Sequence, residues 1–198
     1  MGEVIVIEHL TLDGVMQAPG RAEEDRRDGF RHGGWANLHQ DPAQQQAMAA
    51  YMSSAWSLLA GRTTYEQFAG YWPGQALNPM SVALDRVRKY VASTTLTEPL
   101  GWRNSTLLTG DVPGAVRRLK AELPENLVVF GSGVLVRSLL RSSLVDTLVL
   151  LIHPVVLRSG RRLFAEAGYG PAPETSAFRT ARTETTGSGV IIATYRPA

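Results

Sequence analysis

The sequence contains no cysteine among its 198 residues. This absence excludes a disulfide framework, a thiolate nucleophile, and any zinc or iron–sulfur site that is held by cysteines. It is compatible with a reducing compartment, where proteins do not depend on disulfide bonds. We therefore expect neither a metal site nor cysteine-based catalysis.

Long apolar runs are also missing. No stretch approaches the roughly 18–20 residues that a helix needs to cross a bilayer. The chain passes from Met1-Gly2-Glu3 directly into an apolar segment, without the basic region that begins a signal peptide. We therefore predict no membrane contact and a cytoplasmic location.

The net charge is small, only +2 at pH 7. Basic residues occur in short groups, such as those at 86–89 and 117–120, and carboxylates are mixed with them along the chain. Such groups are more typical of solvated faces than of nucleic-acid-binding patches. We therefore expect a small-molecule ligand and no nucleic-acid partner.

What the sequence does contain is an alternation of strand-like and helix-like segments. Strands are predicted for the apolar runs 4–12, 56–60, 90–93, 105–109, 127–130 and 144–153. Helices are predicted at 42–55, 63–71, 81–87, 112–123 and 134–141. An antiparallel hairpin is predicted for 178–185 and 189–196. This pattern is typical of α/β domains in which helices cover both faces of a mainly parallel sheet.

No repeat or linker divides this pattern, so we expect a single domain over residues 1–198. The hydrophobic fraction of 44% is ordinary for a domain with a buried core. The polar, glycine-rich stretch 17–42 is predicted to be a long loop with at most a short helix. Loops of this length in compact domains are often functional lids.

Three turns at the ends of predicted strands carry residues suited to phosphate groups. The first, Gly61-Arg62-Thr63-Thr64, joins a strand to a helix whose N-terminus favours anions. Its arginine supplies a planar charged fork, and its threonines can cap the helix. An ordinary capped helix with a surface arginine is an equally good interpretation. The second is the hydroxyl cluster Ser93-Thr94-Thr95, which on its own is more typical of a plain turn.

The third turn, Gly131-Ser132-Gly133, lies between a predicted strand and a predicted helix. Its glycines let a phosphate approach the backbone, and the helix dipole favours negative charge. A dinucleotide fingerprint would need a further glycine near Val136, so a plain strand–helix turn is the alternative. Together the three turns favour a dinucleotide, because its several phosphates need separate binding positions.

Several motifs resemble one known family. Gly61-Arg62-x-Thr64-Tyr65-Glu66 is similar to the cofactor motif of dihydrofolate reductases. Thr11-Leu12-Asp13-Gly14, Val129-Phe130-Gly131-Ser132-Gly133-x-Leu135 and the segment 154–164 resemble the reductase domain of the bifunctional riboflavin-biosynthesis deaminase–reductase, and still more its stand-alone bacterial homologues. The resemblance spans nearly the whole chain. It implies a dihydrofolate-reductase-like three-layer α/β/α fold with a mixed, mainly parallel eight-stranded sheet, NADPH as cofactor, and a homodimer.

The resemblance also implies roles for individual residues. The cofactor phosphates would be held by Gly61, Arg62, Thr64, Gly131, Ser132 and Gly133. Ser93 and Thr94 would lie near the adenosine 2′-phosphate. Thr11, Asp13 and Gly14 would border the nicotinamide and the mobile loop beside it.

The sequence departs from the family pattern in three places. Residues 43–55 contain no Asp or Glu, whereas dihydrofolate reductases carry a pterin-binding carboxylate on their first long helix. Asp41 lies just before this segment and could not take the same place without a shift. Arg158-Ser159 replaces the small, glycine-containing turn that is usual in the relatives. The partner deaminase uses a cysteine-containing zinc site, so deamination is excluded for this chain.

The function we predict is hydride transfer from NADPH to a C=O or C=N carbon of a small heterocyclic or sugar-derived substrate, resembling 5-amino-6-(5-phosphoribosylamino)uracil reductase. The substrate pocket would be lined by His9, Met16, Met48, Met52 and Trp56. A core position is the alternative for each methionine, and a hydrogen-bonded core histidine for His9.

No residue stands out as the proton donor. Asp13 is the nearest candidate catalytic carboxylate, although a residue that orders its turn is the better interpretation, and water is the other source of the proton. Three rival functions remain. They are a weak dihydrofolate reductase, a non-catalytic NADPH-binding sensor, and a different nucleotide-binding protein that uses only the glycine turn at 131–133.

Overall fold

The computed structural model describes residues 1–164 and 176–198. The strands in these residues are β1 (Val4–Thr11), β2 (Trp56–Gly61), β3 (Lys89–Ala92), β4 (Ser105–Leu108), β5 (Asn126–Phe130), β6 (Thr147–His153), β7 (Phe178–Thr185) and β8 (Ile191–Pro197). The α-helices there are α1 (Pro42–Tyr51), α2 (Arg62–Tyr71), α3 (Pro79–Arg86), α4 (Val112–Glu122) and α5 (Gly133–Arg141). Short 3₁₀ helices lie at Arg27–Gly29, Trp35–His39 and Trp72–Gly74.

The eight strands form one mixed sheet in the order β4-β3-β2-β5-β1-β6-β8-β7. The pairs from β4 to β6 are parallel, whereas β8 is antiparallel to both β6 and β7. This arrangement confirms the predicted three-layer α/β fold with a C-terminal antiparallel hairpin.

Alternating residues of β1 enter two separate hydrophobic cores. Val4 and Val6 pack with residues of α4 and α5 on one face, and Ile5 and Ile7 pack with residues of α1, α2 and α3 on the other. Side chains of a strand point alternately to opposite faces, so a strand covered on both sides reads as a continuous apolar run. That is why β1 shows no polar alternation until Glu8.

Two elements are shorter than the sequence predicts by three or more residues. Helix α1 ends at Tyr51 and not at 55, and the Ser53 hydroxyl donates to the Ala50 carbonyl, a local bond that competes with continued helix. Strand β6 begins at Thr147 and not at 144, because the carboxylate of Asp146 accepts the Val4 N–H and replaces a ladder bond.

Strand β1 extends beyond its neighbour β5. The parallel pairing of β1 with β5 ends at Ile7 opposite Phe130, while its pairing with β6 continues to Thr11 opposite His153. One edge of β1 is therefore unpaired by β5 beyond Ile7. In open α/β sheets, ligands bind in such a crevice at the carboxyl ends of the strands.

The predicted loop over 17–42 is ordered by a small core of its own. This core consists of Val15, Ala18, Phe30, Trp35 and Ala36. The indole of Trp35 also donates to the Gln17 carbonyl over 2.8 Å. The segment holds two 3₁₀ helices, consistent with the expectation of at most short helical structure.

Glu8 is a charged residue type in an apolar position. It lies in the middle of β1 and is 2% exposed, and its Oε1 has no hydrogen-bond partner in the described part of the chain. Burial raises the pKa of this carboxyl well above its usual value, so the fold favours its protonated form. By the alternation of side chains along β1, Glu8 belongs to the face of the strand that α4 and α5 cover.

None of the helices in the described part of the chain combines the length and the apolar character needed to cross a bilayer.

The turn that follows β6 depends on a glycine. Gly160 has φ +110°, and a Cβ there would lie 2.6 Å from Phe30 Cε2 and 2.8 Å from Val15 Cγ1. We expect Gly160→Ala to lower the free energy of unfolding by about 2–3 kcal/mol through strain and overpacking. The matched change Gly70→Ala, where a Cβ meets nothing within 4 Å, should be neutral or stabilising. Urea denaturation of both variants measures the contrast, and equal stabilities would contradict it.

Glu8 makes stability depend on pH. A carboxyl whose pKa is raised by folding binds more protons when folded, so its contribution is complete below the usual pKa of 4.5 and is lost as pH rises through the folded value. Relative to the parent, Glu8→Gln should gain stability as pH rises above 4.5, by up to about 1.4 kcal/mol per pH unit until the folded carboxyl ionises. The control is Glu122→Gln on the exposed end of α4. Parallel stability curves for the Glu8→Gln variant and the parent would disprove the argument.

Candidate active site

A cleft of about 1700 Å³ opens at the carboxyl ends of β1, β2, β3 and β5. Pockets for a single small molecule usually measure about 300–1,000 Å³, so this one has room for a cofactor and a substrate together. The predicted site residues that line it are His9, Met16, Met48, Met52, Trp56, Gly61, Arg62, Thr64, Ser93, Thr94, Gly131, Ser132 and Gly133.

Two turns in this cleft are joined by hydrogen bonds. The Thr64 hydroxyl accepts the backbone N–H of Ser132 over 3.0 Å, and the Ser132 hydroxyl accepts the backbone N–H of Gly61, also over 3.0 Å. The two hydroxyls themselves lie 3.0 Å apart. These bonds fix the β2–α2 turn beside the β5–α5 turn, although 68 residues separate Thr64 from Ser132.

The helices that begin at these turns have no side-chain caps. Asp41, Asn78 and Asp111 cap α1, α3 and α4, whereas α2 and α5 begin at Gly61 and Ser132 without a side-chain cap bond. The expectation that Thr63 or Thr64 caps α2 is wrong, because the Thr64 hydroxyl bonds to Ser132 instead. Uncapped N–H groups and the positive ends of two helix dipoles therefore face the cleft, and this arrangement suits a polyanion.

The backbone of the glycine turn at 131–133 allows neighbouring side chains to approach it closely. Gly131 has φ +57°, and a Cβ there would lie 3.1 Å from Thr64 Oγ1. Ser132 also adopts a left-handed conformation, with φ +61°, held by its bonds to Gly61 and Thr64. At Gly133 a Cβ would lie 2.5 Å from the sulfur of Met16. Met16 thus borders the glycine turn and not the side of the cleft that α1 forms.

The remaining predicted phosphate ligands differ in whether their side chains are already engaged in hydrogen bonds or ion pairs. Arg62 is exposed at the start of α2, where it makes an ion-pair contact of 4.0 Å with Glu66. The Ser93 hydroxyl accepts the N–H groups of Thr95 and Leu96, so it is engaged in its own turn. Thr94 is exposed and lines the cleft.

Thr11, Asp13 and Gly14 lie outside the described lining of the cleft. Asp13 accepts hydrogen bonds from the Thr11 hydroxyl and from the backbone N–H groups of Leu157 and Arg158. Burial alone would raise the pKa of Asp13, but these bonds outweigh it and lower the pKa to about 2. Asp13 is therefore a carboxylate at neutral pH, and its geometry favours the interpretation that it orders the turn.

His9 contacts a second histidine. Its Nδ1 lies 2.9 Å from Nε2 of His153, and Trp35 packs edge-on against His153 at 5.2 Å. Burial lowers the pKa of His9 to about 4. Burial, together with the nearby His9 and His39, lowers that of His153 to about 3. Both rings are neutral at pH 7, and in residues 1–164 and 176–198 no group of three or more histidine and acidic side chains could hold a metal ion.

Helix α1 brings no carboxylate into the cleft. Met48 and Met52 face both the cleft and the core around Ile7, so the pocket and core interpretations are compatible. The oxygens of Asp41 accept the N–H groups of Ala43 and Ser188, which keeps this carboxylate at the helix end.

Sequence reasoning missed several lining residues. They are Glu8, Arg27, Phe68, Trp72, Met80, Phe130, Arg137, Arg161 and Arg162. Glu8 could have been found as an acidic residue that interrupts the apolar run 4–12. Trp72 and Met80 carried no usable signal, because they lie in a stretch without clear periodicity.

Comparison with known proteins places these features in a family. A comparison with curated protein sequences finds no significant match. Among solved structures, a protein assigned to riboflavin biosynthesis from Shewanella sp. PV-4 has a TM-score of 0.74 and 22% identity, with 99% of each chain covered. A pyrimidine reductase-like protein from Corynebacterium diphtheriae has a TM-score of 0.68 and 13% identity over 100% of this chain and 92% of its own.

A dihydrofolate reductase from Enterococcus faecalis, solved with NADP(H) and RAB-propyl, has a TM-score of 0.60 and 13% identity over 99% of this chain and 96% of its own. These likenesses show a dihydrofolate-reductase-like fold. The profile described as RibD C-terminal domain matches residues 3–192, nearly the whole length. The chain therefore belongs to the RibD C-terminal domain family.

Proposed function

We propose that this protein is an NADPH-dependent reductase. The observation that carries the proposal is the pair of uncapped helix N-termini, at Gly61 and Ser132, held side by side in the cleft. A dinucleotide has adjacent phosphates that need two such positions. Membership of the RibD C-terminal domain family supports a reductase, and the Enterococcus faecalis neighbour is a reductase that was solved with NADP(H).

The residues present fit this cofactor. The N–H groups in the first turns of α2 and α5 would hold the pyrophosphate, because no side chain caps either helix. Arg62 and Thr94 are exposed beside them and would hold the 2′-phosphate. The unpaired edge of β1 beyond Ile7 offers backbone groups for the nicotinamide amide. When bound, the cofactor supplies the hydride.

The chain itself would position the substrate and exclude water. His9 presents a neutral ring on the face of β1 that α1 covers, beside Met48 and Trp56. The accepting carbon, in a C=O or C=N bond of a small substrate, would lie there. Asp13 is ionised and lies outside the described lining of the cleft, so the proton that balances the hydride would come from water.

The homodimer and the cytoplasmic location rest on the family resemblance and the sequence, and both stay predictions. Gel filtration coupled to light scattering measures the oligomeric state.

Turnover of NADPH with a panel of carbonyl and imine compounds separates an enzyme from a sensor that only binds the cofactor.

Arg62 should select NADPH over NADH. Removing a charge-assisted contact costs about 1.5–3 kcal/mol, so Arg62→Ala should weaken NADPH binding about ten- to a hundredfold and leave NADH nearly unchanged. Titration of cofactor fluorescence measures both affinities, and Arg118→Ala on the exposed face of α4 is the control. Equal losses for both cofactors would place Arg62 at the pyrophosphate, and no loss would remove it from the site.

The protein should be a poor dihydrofolate reductase. Dihydrofolate reductases bind the pterin through a helix carboxylate, and losing one such preorganised group typically costs about 10²–10³ in rate. Helix α1 has no acidic residue, and Asp41 is held by two backbone N–H groups. We expect turnover below about 1 s⁻¹, the low end of typical enzymes, for NADPH oxidation with dihydrofolate at saturating cofactor. Faster turnover would show that another acid, Asp41 first, reaches the pterin.

A further inference from the structure

One wall of the cleft is a continuous row of aromatic rings. Trp56 contacts Phe130 with ring centroids 6.4 Å apart and planes at 81°. Phe68 contacts Phe130 at 6.4 Å and Trp72 at 6.1 Å. Such distances and tilts are typical of favourable aromatic pairs. Because Phe130 directly precedes the glycine turn, the row leads away from the position proposed for the pyrophosphate.

Methionines line the cleft beside this wall. Met48 comes from α1, Met52 is the C-cap of that helix, and Met80 comes from α3. All three are partly buried against the same hydrophobic core as Trp56. We call the space bounded by these side chains the apolar chamber, which is lined by Met48, Met52, Trp56, Phe68, Trp72 and Met80. Methionine sulfur packs favourably against aromatic rings and adapts to flat ligands of different outline.

The basic residues of the cleft lie elsewhere. They are Arg27, Arg62, Arg137, Arg161 and Arg162 in the described lining, which contains no lysine. Arg27 bonds to Asp25 and to the Thr63 hydroxyl at the start of α2. Arg161 pairs with Asp28. Arg62 begins α2, Arg137 lies within α5 and the other three lie outside the α-helices, so none comes from α1, α3 or the Trp72 turn.

The acidic residues give the chamber no charge either. Asp41 lines the cleft near α1, but its two oxygens accept backbone N–H groups of Ala43 and Ser188. The Gln75 amide donates to the Tyr71 carbonyl, and the Arg21 guanidinium, which is outside the described lining, is already stacked over the Tyr71 ring at 4.0 Å. A phosphate or carboxylate placed among the chamber residues would lose its water without gaining a cation, which is strongly unfavourable.

We propose that the substrate is an uncharged, flat compound whose reducible C=O or C=N carbon is attached to an aromatic ring. The ring would occupy the apolar chamber, between the methionines and the aromatic wall. This inference rests on the proposed reductase function and narrows it, because a phosphorylated sugar derivative, which the family resemblance suggested, finds no cation there.

The reaction on such a compound balances simply. With an aryl aldehyde, a hydride from NADPH forms a C–H bond at the carbonyl carbon, and the C=O π pair moves to oxygen. The oxygen takes a proton from water. NADPH is oxidised to NADP⁺, and the aldehyde is reduced to a primary alcohol.

A matched pair of probes tests the charge preference. 2-Naphthaldehyde and 6-formyl-2-naphthoate share the ring and the aldehyde and differ in one carboxylate. Their binding is followed by quenching of tryptophan fluorescence, since Trp56 and Trp72 line the chamber, and their reduction by NADPH oxidation. We expect the uncharged compound to bind at least about tenfold more tightly than the carboxylate. Equal binding, or tighter binding of the carboxylate, would overturn the inference.

A charge placed in the chamber should change this preference. Met52 is the C-cap of α1, where a lysine suits the helix dipole, so Met52→Lys should fold. It should reduce the preference for naphthaldehyde about tenfold or more by giving the carboxylate a partner. The control Leu77→Lys, at a residue 90% exposed outside the cleft lining, should leave both affinities within about twofold. An unchanged preference in Met52→Lys would place the ligand elsewhere.

A second variant keeps the test independent of the first. Trp72→Leu removes one ring of the wall and should weaken naphthaldehyde about three- to tenfold without improving the carboxylate. No change in naphthaldehyde binding would remove Trp72 from the site and overturn the chamber assignment.

NADPH binding, titrated separately, distinguishes the reductase proposal from the substrate inference. If NADPH does not bind, the reductase proposal falls, whereas bound NADPH with a preferred carboxylate overturns only the substrate inference.

Discussion

The hydrogen bonds among Gly61, Thr64 and Ser132 are the constraint on which the site depends. They join two strand–helix turns that are distant in sequence and hold two helix N-termini next to each other. The same bonds explain why no side chain caps either helix, since the hydroxyls that could do so are occupied by the bridge. They also hold Ser132 in a left-handed conformation that would otherwise be unfavourable. One small hydrogen-bond network therefore fixes the two turns and places their helix N-termini where an anion can bind.

The second determinant is the unequal length of the two central strands. Because β5 stops opposite Ile7 while β1 continues to Thr11, the sheet itself opens a crevice beside the bridged turns. Side-chain alternation along β1 then assigns His9 to the face of α1 and Glu8 to the face of α5. The two faces of one strand therefore give the cleft two chemically different walls.

The sequence predicted the sheet and the three turns well, because these depend on local apolar periodicity and on glycine. It could not predict the Thr64–Ser132 bond or the His9–His153 contact, since partners 68 and 144 residues apart leave no local pattern. Asp13 shows a different limit. Its residue type suits both catalysis and turn formation, the sequence favours the turn, and its hydrogen bonds to residues 157 and 158 support that interpretation.

The loop core of Val15, Phe30 and Trp35 has a consequence for ligand affinity. A loop without a core loses backbone entropy each time it closes over a ligand, about 1–2 kcal/mol for each residue that becomes fixed. Here that entropy is lost once, during folding, because the segment is already packed. Any opening is then a rotation of a preformed unit about its ends, and ligand affinity is not reduced by the ordering of its residues.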